Sequence, residues 1–194
     1  MTKLASLCVY CGSSNEGPES HRTVAVALGR MMAERNIRLI YGGGGVGVMG
    51  AVAKAVMESG GAVTGIIPDF LMHQEVGNRK ISSLEVVENM HERKSRMAEL
   101  SDGFLILPGG MGTLEEFFEI LTWRKLGLHD KPIAILNTDG YWDRLRDLTA
   151  DMIAASYAKP DDAALAPYFD TPEAALDALA EHASASSHLD SDKI

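Results

Sequence analysis

Two short stretches carry the residue types from which a reaction could be built. The first is Pro108-Gly109-Gly110-Met111-Gly112-Thr113-Leu114-Glu115-Glu116, a glycine turn running into a helix start with two carboxylates behind it. Bare backbone N–H groups at a helix N-terminus attract an anion. A carboxylate held there near a cation stays ionised. The same residues also spell a capping box, with Thr113 as N-cap and Glu116 reaching back, but that reading leaves the three glycines unexplained. The second stretch is Asn89-Met90-His91-Glu92-Arg93-Lys94-Ser95-Arg96-Met97. Arg93 and Lys94 lie three and four residues from both Met90 and Met97, so they share one partly apolar helical stripe. Cations in that setting need an anionic partner, either a ligand or a catalytic carboxylate. Glu92 and Arg96, at i and i+4, read as an ordinary surface pair.

A second glycine-rich loop is Tyr41-Gly42-Gly43-Gly44-Gly45-Val46-Gly47-Val48-Met49-Gly50, with six glycines in nine positions. It predicts another anion cradle, with Gly43, Gly44 and Gly45 as contacts; a tight turn with close helix-to-sheet packing is the alternative. Gly45, Gly47 and Gly50 also satisfy G-x-G-x-x-G, with Asp69 nineteen residues on, which raises a dinucleotide site. That fingerprint ordinarily follows the first strand, and Pro68 interrupts its acidic end. Ser13 and Ser14, in the loop after the first strand, could offer hydroxyl and backbone donors to a nucleotide. His73, His91 and His129 share no metal-ligand spacing. Cys8 and Cys11 match a redox spacing, but Cys8 falls inside an apolar run, so both read as ordinary thiols.

The elements that must hold these loops follow from periodicity. Apolar runs at residues 4–10, 37–41, 62–67, 84–87, 104–107 and 133–136 read as buried strands. Helical patterns fill residues 19–34, 48–59, 90–100, 114–126 and 141–157, a loop spans 159–167, and a short helix is expected over 173–183. Strand and helix alternate, which predicts a Rossmann-like α/β fold: an open parallel sheet with helices on both faces. One domain is expected over residues 1–183, followed by a flexible tail over 184–194.

Composition narrows the partners. Apolar residues make up 46% of the 194, yet no run approaches the roughly 18 to 20 residues of a membrane helix. The N-terminus has no signal-peptide pattern, which leaves a cytoplasmic expectation and no membrane partner. A formal charge of -9 repels nucleic acid over most of the surface, so an anionic ligand requires a local site.

Three motifs in this order, Tyr41-Gly42-Gly43-Gly44 through Val48-Met49-Gly50, Met90-His91-Glu92-Arg93-Lys94, and Pro108-Gly109-Gly110-x-Gly112-Thr113-x-x-Glu116, resemble the LOG ("Lonely guy") family, the cytokinin riboside 5'-monophosphate phosphoribohydrolases. The resemblance implies that Arg93 and Glu116 are catalytic. It implies substrate contacts at Lys94, at Gly110, Met111, Gly112, Thr113, Leu114 and Glu115, at Thr122, and at Glu75. The implied substrate is a purine nucleoside 5'-monophosphate, cleaved to free base and ribose 5-phosphate without a metal or organic cofactor. A homodimer is implied too, and the helix over 114–126 looks apolar on more than one face through Phe117, Phe118, Ile120, Leu121 and Trp123. A broader AMP hydrolase, a nucleotide carrier without turnover and an NAD-dependent oxidoreductase are the competing readings.

Overall fold

The computed structural model describes residues 4–72 and 81–190, the stretch 184–190 through its backbone alone. Seven strands form one parallel sheet: β1 (Ser6–Tyr10), β2 (Arg38–Tyr41), β3 (Val63–Pro68), β4 (Ser83–Val87), β5 (Phe104–Ile106), β6 (Ile133–Leu136) and β7 (Tyr168–Phe169), in the order β4-β3-β2-β1-β5-β6-β7. The helices are α1 (Glu19–Glu34), α2 (Gly47–Glu58), α3 (Met90–Glu99), α4 (Met111–Lys125), α5 (Asp143–Ala154), α6 (Pro160–Ala163) and α7 (Pro172–Asp190).

Period-two alternation sends successive strand residues to opposite faces. Leu7, Leu39, Tyr41, Leu105 and Leu136 enter one core with α1, α2 and α7. Their neighbours Cys8, Ile40, Phe104, Ile106 and Ile135 enter the other, with α3, α4 and α5. Contact between α1 and α2 is close enough that a Cβ on Gly29 would lie 2.7 Å from the Ala55 Cβ. This is the expected α/β sheet covered on both faces.

Several local expectations differ from the structure. β7 pairs only two residues with β6, too few to leave a periodic trace. α6 lies within the expected loop, started by Pro160 at its first position. The last helix continues to Asp190, past the expected end at 183. α4 begins three residues earlier than its apolar pattern suggested, so Gly110, not Thr113, is its N-cap and no side chain caps it. Thr113 and Glu116 therefore do not form the capping box.

The order of the strands fixes where a site can lie. From β1 the chain moves outward through β2, β3 and β4, then returns to the opposite side of β1 with β5. Loops leaving β1 and β5 consequently diverge beyond their carboxyl ends, and such a switch point is where open α/β sheets bind ligands.

Candidate active site

A cleft of about 320 Å³ opens at this switch point, at the lower end of ordinary ligand pockets, which run roughly 300 to 1,000 Å³. The β1 loop lines it with Cys11, Gly12, Ser13 and Ser14, and the start of α4 lines it with Gly110, Gly112, Thr113, Glu115 and Glu116. Met49 of α2, Leu71 of the 3₁₀ turn after β3, and Met90 and Arg93 of α3 complete the wall. The two principal loops touch: Gly12 N donates to the Pro108 carbonyl at 3.0 Å.

Glu116 and Arg93, which come from different helices, meet on this cleft. Arg93 is only 3% exposed, and its Nη2 donates to the Gly42 carbonyl at 3.1 Å, with Nη1 3.7 Å from the Met90 sulfur. A Cβ on Gly42 would fall 2.1 Å from that Nη2, so the first glycine after β2 exists to admit the guanidinium. Glu116 lies close to the end of β1. Burial pushes the Cys8 thiol and the Tyr10 phenol well up, and the Glu116 carboxylate adds to both shifts. A buried, protonated Cys8 is no redox thiol.

Lys94 is buried beside Arg93 but does not line the cleft. Its ammonium donates to Glu115 and, at 2.9 Å, to Glu119, clamping α3 to α4. Burial opposes the charge, yet the two carboxylate bonds outweigh it and leave the Lys94 pKa raised. The clamp fixes Glu115 at the cleft rim. Thr122 is exposed further along α4, and Leu114 packs toward the second core; neither lines the cleft. Met111 is 85% exposed at the first position of α4. Glu75 and His73 lie outside the described residues.

The loop after β2 is closely packed at Gly42, Gly43, Gly47 and Gly50. Gly47 has φ +64°, and a Cβ there would meet the Ser13 backbone at 2.6 Å. Its N–H is taken by Asn15 Oδ1 at 2.9 Å, and Met49 N by the Gly12 carbonyl at 3.1 Å. Gly43 and Gly44 are buried, Gly45 is exposed, and none of the three lines the cleft. The start of α4 is the opposite case. Cβ atoms on Gly110 and Gly112 would meet nothing within 4 Å, and the N–H groups of Met111, Gly112 and Thr113 bond to no other protein group among the described residues.

Smaller expectations resolve as follows. Arg96 pairs with Glu85 at 2.8 Å and Glu99 at 3.3 Å instead of Glu92, whose carboxylate accepts from Glu88 N near the start of α3. Asn89 caps that helix by accepting from Glu92 N. His91 is exposed, and His129 is half-buried with Nε2 3.0 Å from the Ile120 carbonyl. Sequence reasoning missed Leu71 and Met49 as cleft walls, since apolar residues near a site look like core.

Fold and cleft together define a Rossmann-like α/β protein whose site lies at the switch point between β1 and β5. The family described as "Possible lysine decarboxylase" matches residues 49–179. Relatives are closer in detail. The chain is 44% identical over 159 residues to the Arabidopsis thaliana cytokinin riboside 5'-monophosphate phosphoribohydrolase LOG3, covering 82% of this chain and 74% of that protein. It is 40% identical over 178 residues to the probable phosphoribohydrolase LOGL6 of Oryza sativa subsp. japonica, covering 92% and 71%. The chain belongs to the LOG family. Among solved structures, the molybdenum cofactor carrier protein of Chlamydomonas reinhardtii superposes with a TM-score of 0.67 at 22% identity, covering 92% of this chain and 98% of that one. The molybdenum cofactor binding protein of Rippkaea orientalis gives 0.69 at 21% identity, covering 92% and 97%. At those identities the likeness concerns the fold.

Proposed function

We propose that the protein hydrolyses the N-glycosidic bond of purine nucleoside 5'-monophosphates, with N6-substituted, cytokinin-type adenine as the base, giving free base and ribose 5-phosphate. The observation that carries this reading is the convergence of Glu116, Arg93 and the open amides of α4 on one cleft. The relatives' names agree with it.

In this reading the 5'-phosphate lies on the N–H groups of Met111, Gly112 and Thr113, where the helix dipole favours an anion. Held by its phosphate, the nucleotide presents C1' to Glu116. As the C1'–N bond breaks, positive charge develops on the ribose, and a nearby carboxylate stabilises it. The C1'–N electron pair leaves with the base, Glu116 takes a proton from water as the water oxygen bonds to C1', and a proton is delivered to the departing base nitrogen, so that the net reaction gives free base and ribose 5-phosphate. Arg93, anchored on the Gly42 carbonyl, fixes the charge pattern around that carboxylate. Lys94 serves by holding Glu115 in place.

Incubating the protein with AMP and with N6-substituted AMP should release free base and ribose 5-phosphate, fastest from the substituted nucleotide. Adenosine, which lacks the phosphate, should be a far poorer substrate. Lysine should yield no carbon dioxide. Nucleotide bound without turnover would favour a carrier. Equal cleavage of adenosine and AMP would remove the phosphate seat from the account.

We further infer a homodimer. Leu126 and Leu128, at the end of α4, are 68% and 69% exposed, and an apolar surface of this kind suits a second copy. Phe118, Leu121 and Trp123 are partly covered within the chain, which makes the spare surface smaller than the sequence implied. Sedimentation should give twice the 20.9 kDa chain mass. A fully active monomer would contradict this.

A further inference from the structure

The turn after β6 touches the phosphate seat without lining the cleft. Tyr141 Oη donates to the Gly109 carbonyl at 2.7 Å, and Gly109 immediately precedes the N-cap of α4. Gly109 has little freedom to respond: a Cβ there would lie 2.1 Å from Thr113 Oγ1 and 2.8 Å from Gly12 N. Gly109 is therefore packed closely against Thr113 and the β1 loop, and its carbonyl is held by Tyr141.

Tyr141 is itself held from several sides. Its ring meets His21 of α1 edge-on at 5.1 Å and Trp142 at 4.7 Å. The Asn137 side chain accepts from Trp142 N at 2.7 Å and donates to Asp143 at 2.9 Å, bracing the turn. Within it, Asp139 and Gly140 take left-handed φ angles of 54° and 70°, a conformation that aspartate and glycine adopt more readily than other residues and that turns the chain sharply here. Yet Tyr141 remains 44% exposed, so the ring is not there to fill the core. A half-exposed ring braced so that its hydroxyl meets one carbonyl points to control of that peptide.

We propose that Tyr141 is a positioning residue for the reaction: by holding the Gly109 carbonyl it sets the direction of the Gly110-to-Thr113 backbone, and hence the aim of the α4 amides at the substrate's 5'-phosphate. This rests on the hydrolase reading above. Tyr141 does not touch the reacting atoms; it acts through Gly109.

Tyr141→Phe keeps the ring and its two aromatic contacts and removes only the hydroxyl. Losing one hydrogen bond that orients, but does not itself bind, should raise KM for AMP and the inhibition constant of inorganic phosphate together, by roughly three- to tenfold, while kcat stays within about twofold. The melting temperature should be unchanged. His21→Phe, which preserves an edge-on ring against Tyr141 and leaves the hydroxyl in place, should keep KM and phosphate inhibition near those of the wild type. Unchanged KM and phosphate inhibition in Tyr141→Phe would overturn the positioning role while leaving the hydrolase reading intact. A fall in melting temperature with kcat and KM equally affected would also overturn it, in favour of a merely structural tyrosine. If the wild type binds AMP but does not cleave it, the hydrolase reading fails, and calorimetric titration of AMP into both proteins still decides the role of Tyr141 by the same factor.

Discussion

The two glycine-rich loops look alike in sequence and do opposite work. After β2, Gly42 makes room for the Arg93 guanidinium, and Gly47 adopts a left-handed φ against the Ser13 and Ser14 backbone. Of the first amides of α2, Gly47 N donates to Asn15 and Met49 N to the Gly12 carbonyl. After β5, Gly110 and Gly112 border open space, and the first amides of α4 face the cleft. At Gly42 and Gly47 of the first loop protein fills the space a side chain would take; at Gly110 and Gly112 of the second that space is open cleft. The number of glycines does not separate these cases, but what an added Cβ would meet does.

Substitutions should therefore divide between the loops. The largest effect belongs to Glu116→Gln, on the helix that follows the open loop. Its kcat for AMP should fall by about 10² to 10⁴, the range for removing a general base, with the fold kept because glutamine has nearly the shape of glutamate. A variant with wild-type turnover would strip Glu116 of its role.

Gly47→Ala, in the packed loop, should show itself in folding instead. A left-handed alanine costs about 1 to 3 kcal/mol, and backbone contact at 2.6 Å adds to it, so urea unfolding should reveal a loss near 3 kcal/mol. A fully stable Gly47→Ala protein would mean that this loop is not closely packed. Asn15→Ala should cost about 1 kcal/mol by freeing the Gly47 N–H, with AMP binding little changed. Tighter phosphate binding by that variant would return the first loop to the anion-cradle reading.

Gly112→Ala should leave stability unchanged or raise it by up to about 1 kcal/mol, since alanine favours the helix and meets no neighbour. Its methyl group stands at the cleft, however, so the KM for AMP should rise although the fold does not suffer. A destabilised Gly112→Ala protein with normal KM would erase the contrast between the loops.

Much of this was legible in the sequence because it depends on local periodicity. The strand runs and the α1 boundaries follow from the burial of alternating or helical stripes, and the Met90-to-Met97 stripe that buries Arg93 could be read at single-residue spacing. What stayed hidden depends on distant partners. Nothing near Gly42 announces that Arg93, 51 residues later, will occupy its side-chain space. Lys94 enters as a substrate contact through the family resemblance alone, and its carboxylate partners, Glu115 and Glu119, lie on another helix and leave no trace beside it in the sequence. Gly110, Met111 and Gly112 lack the apolar pattern by which helices are recognised, so periodicity starts α4 at Leu114 and passes over its first turn.

The most direct test is the structure of the Glu116→Gln protein crystallised with AMP. The account predicts the 5'-phosphate within hydrogen-bonding distance of the Met111, Gly112 and Thr113 amides and the ribose C1' facing residue 116. A phosphate seated instead in the Gly43-to-Gly45 turn, with the ribose turned away from residue 116, would contradict it.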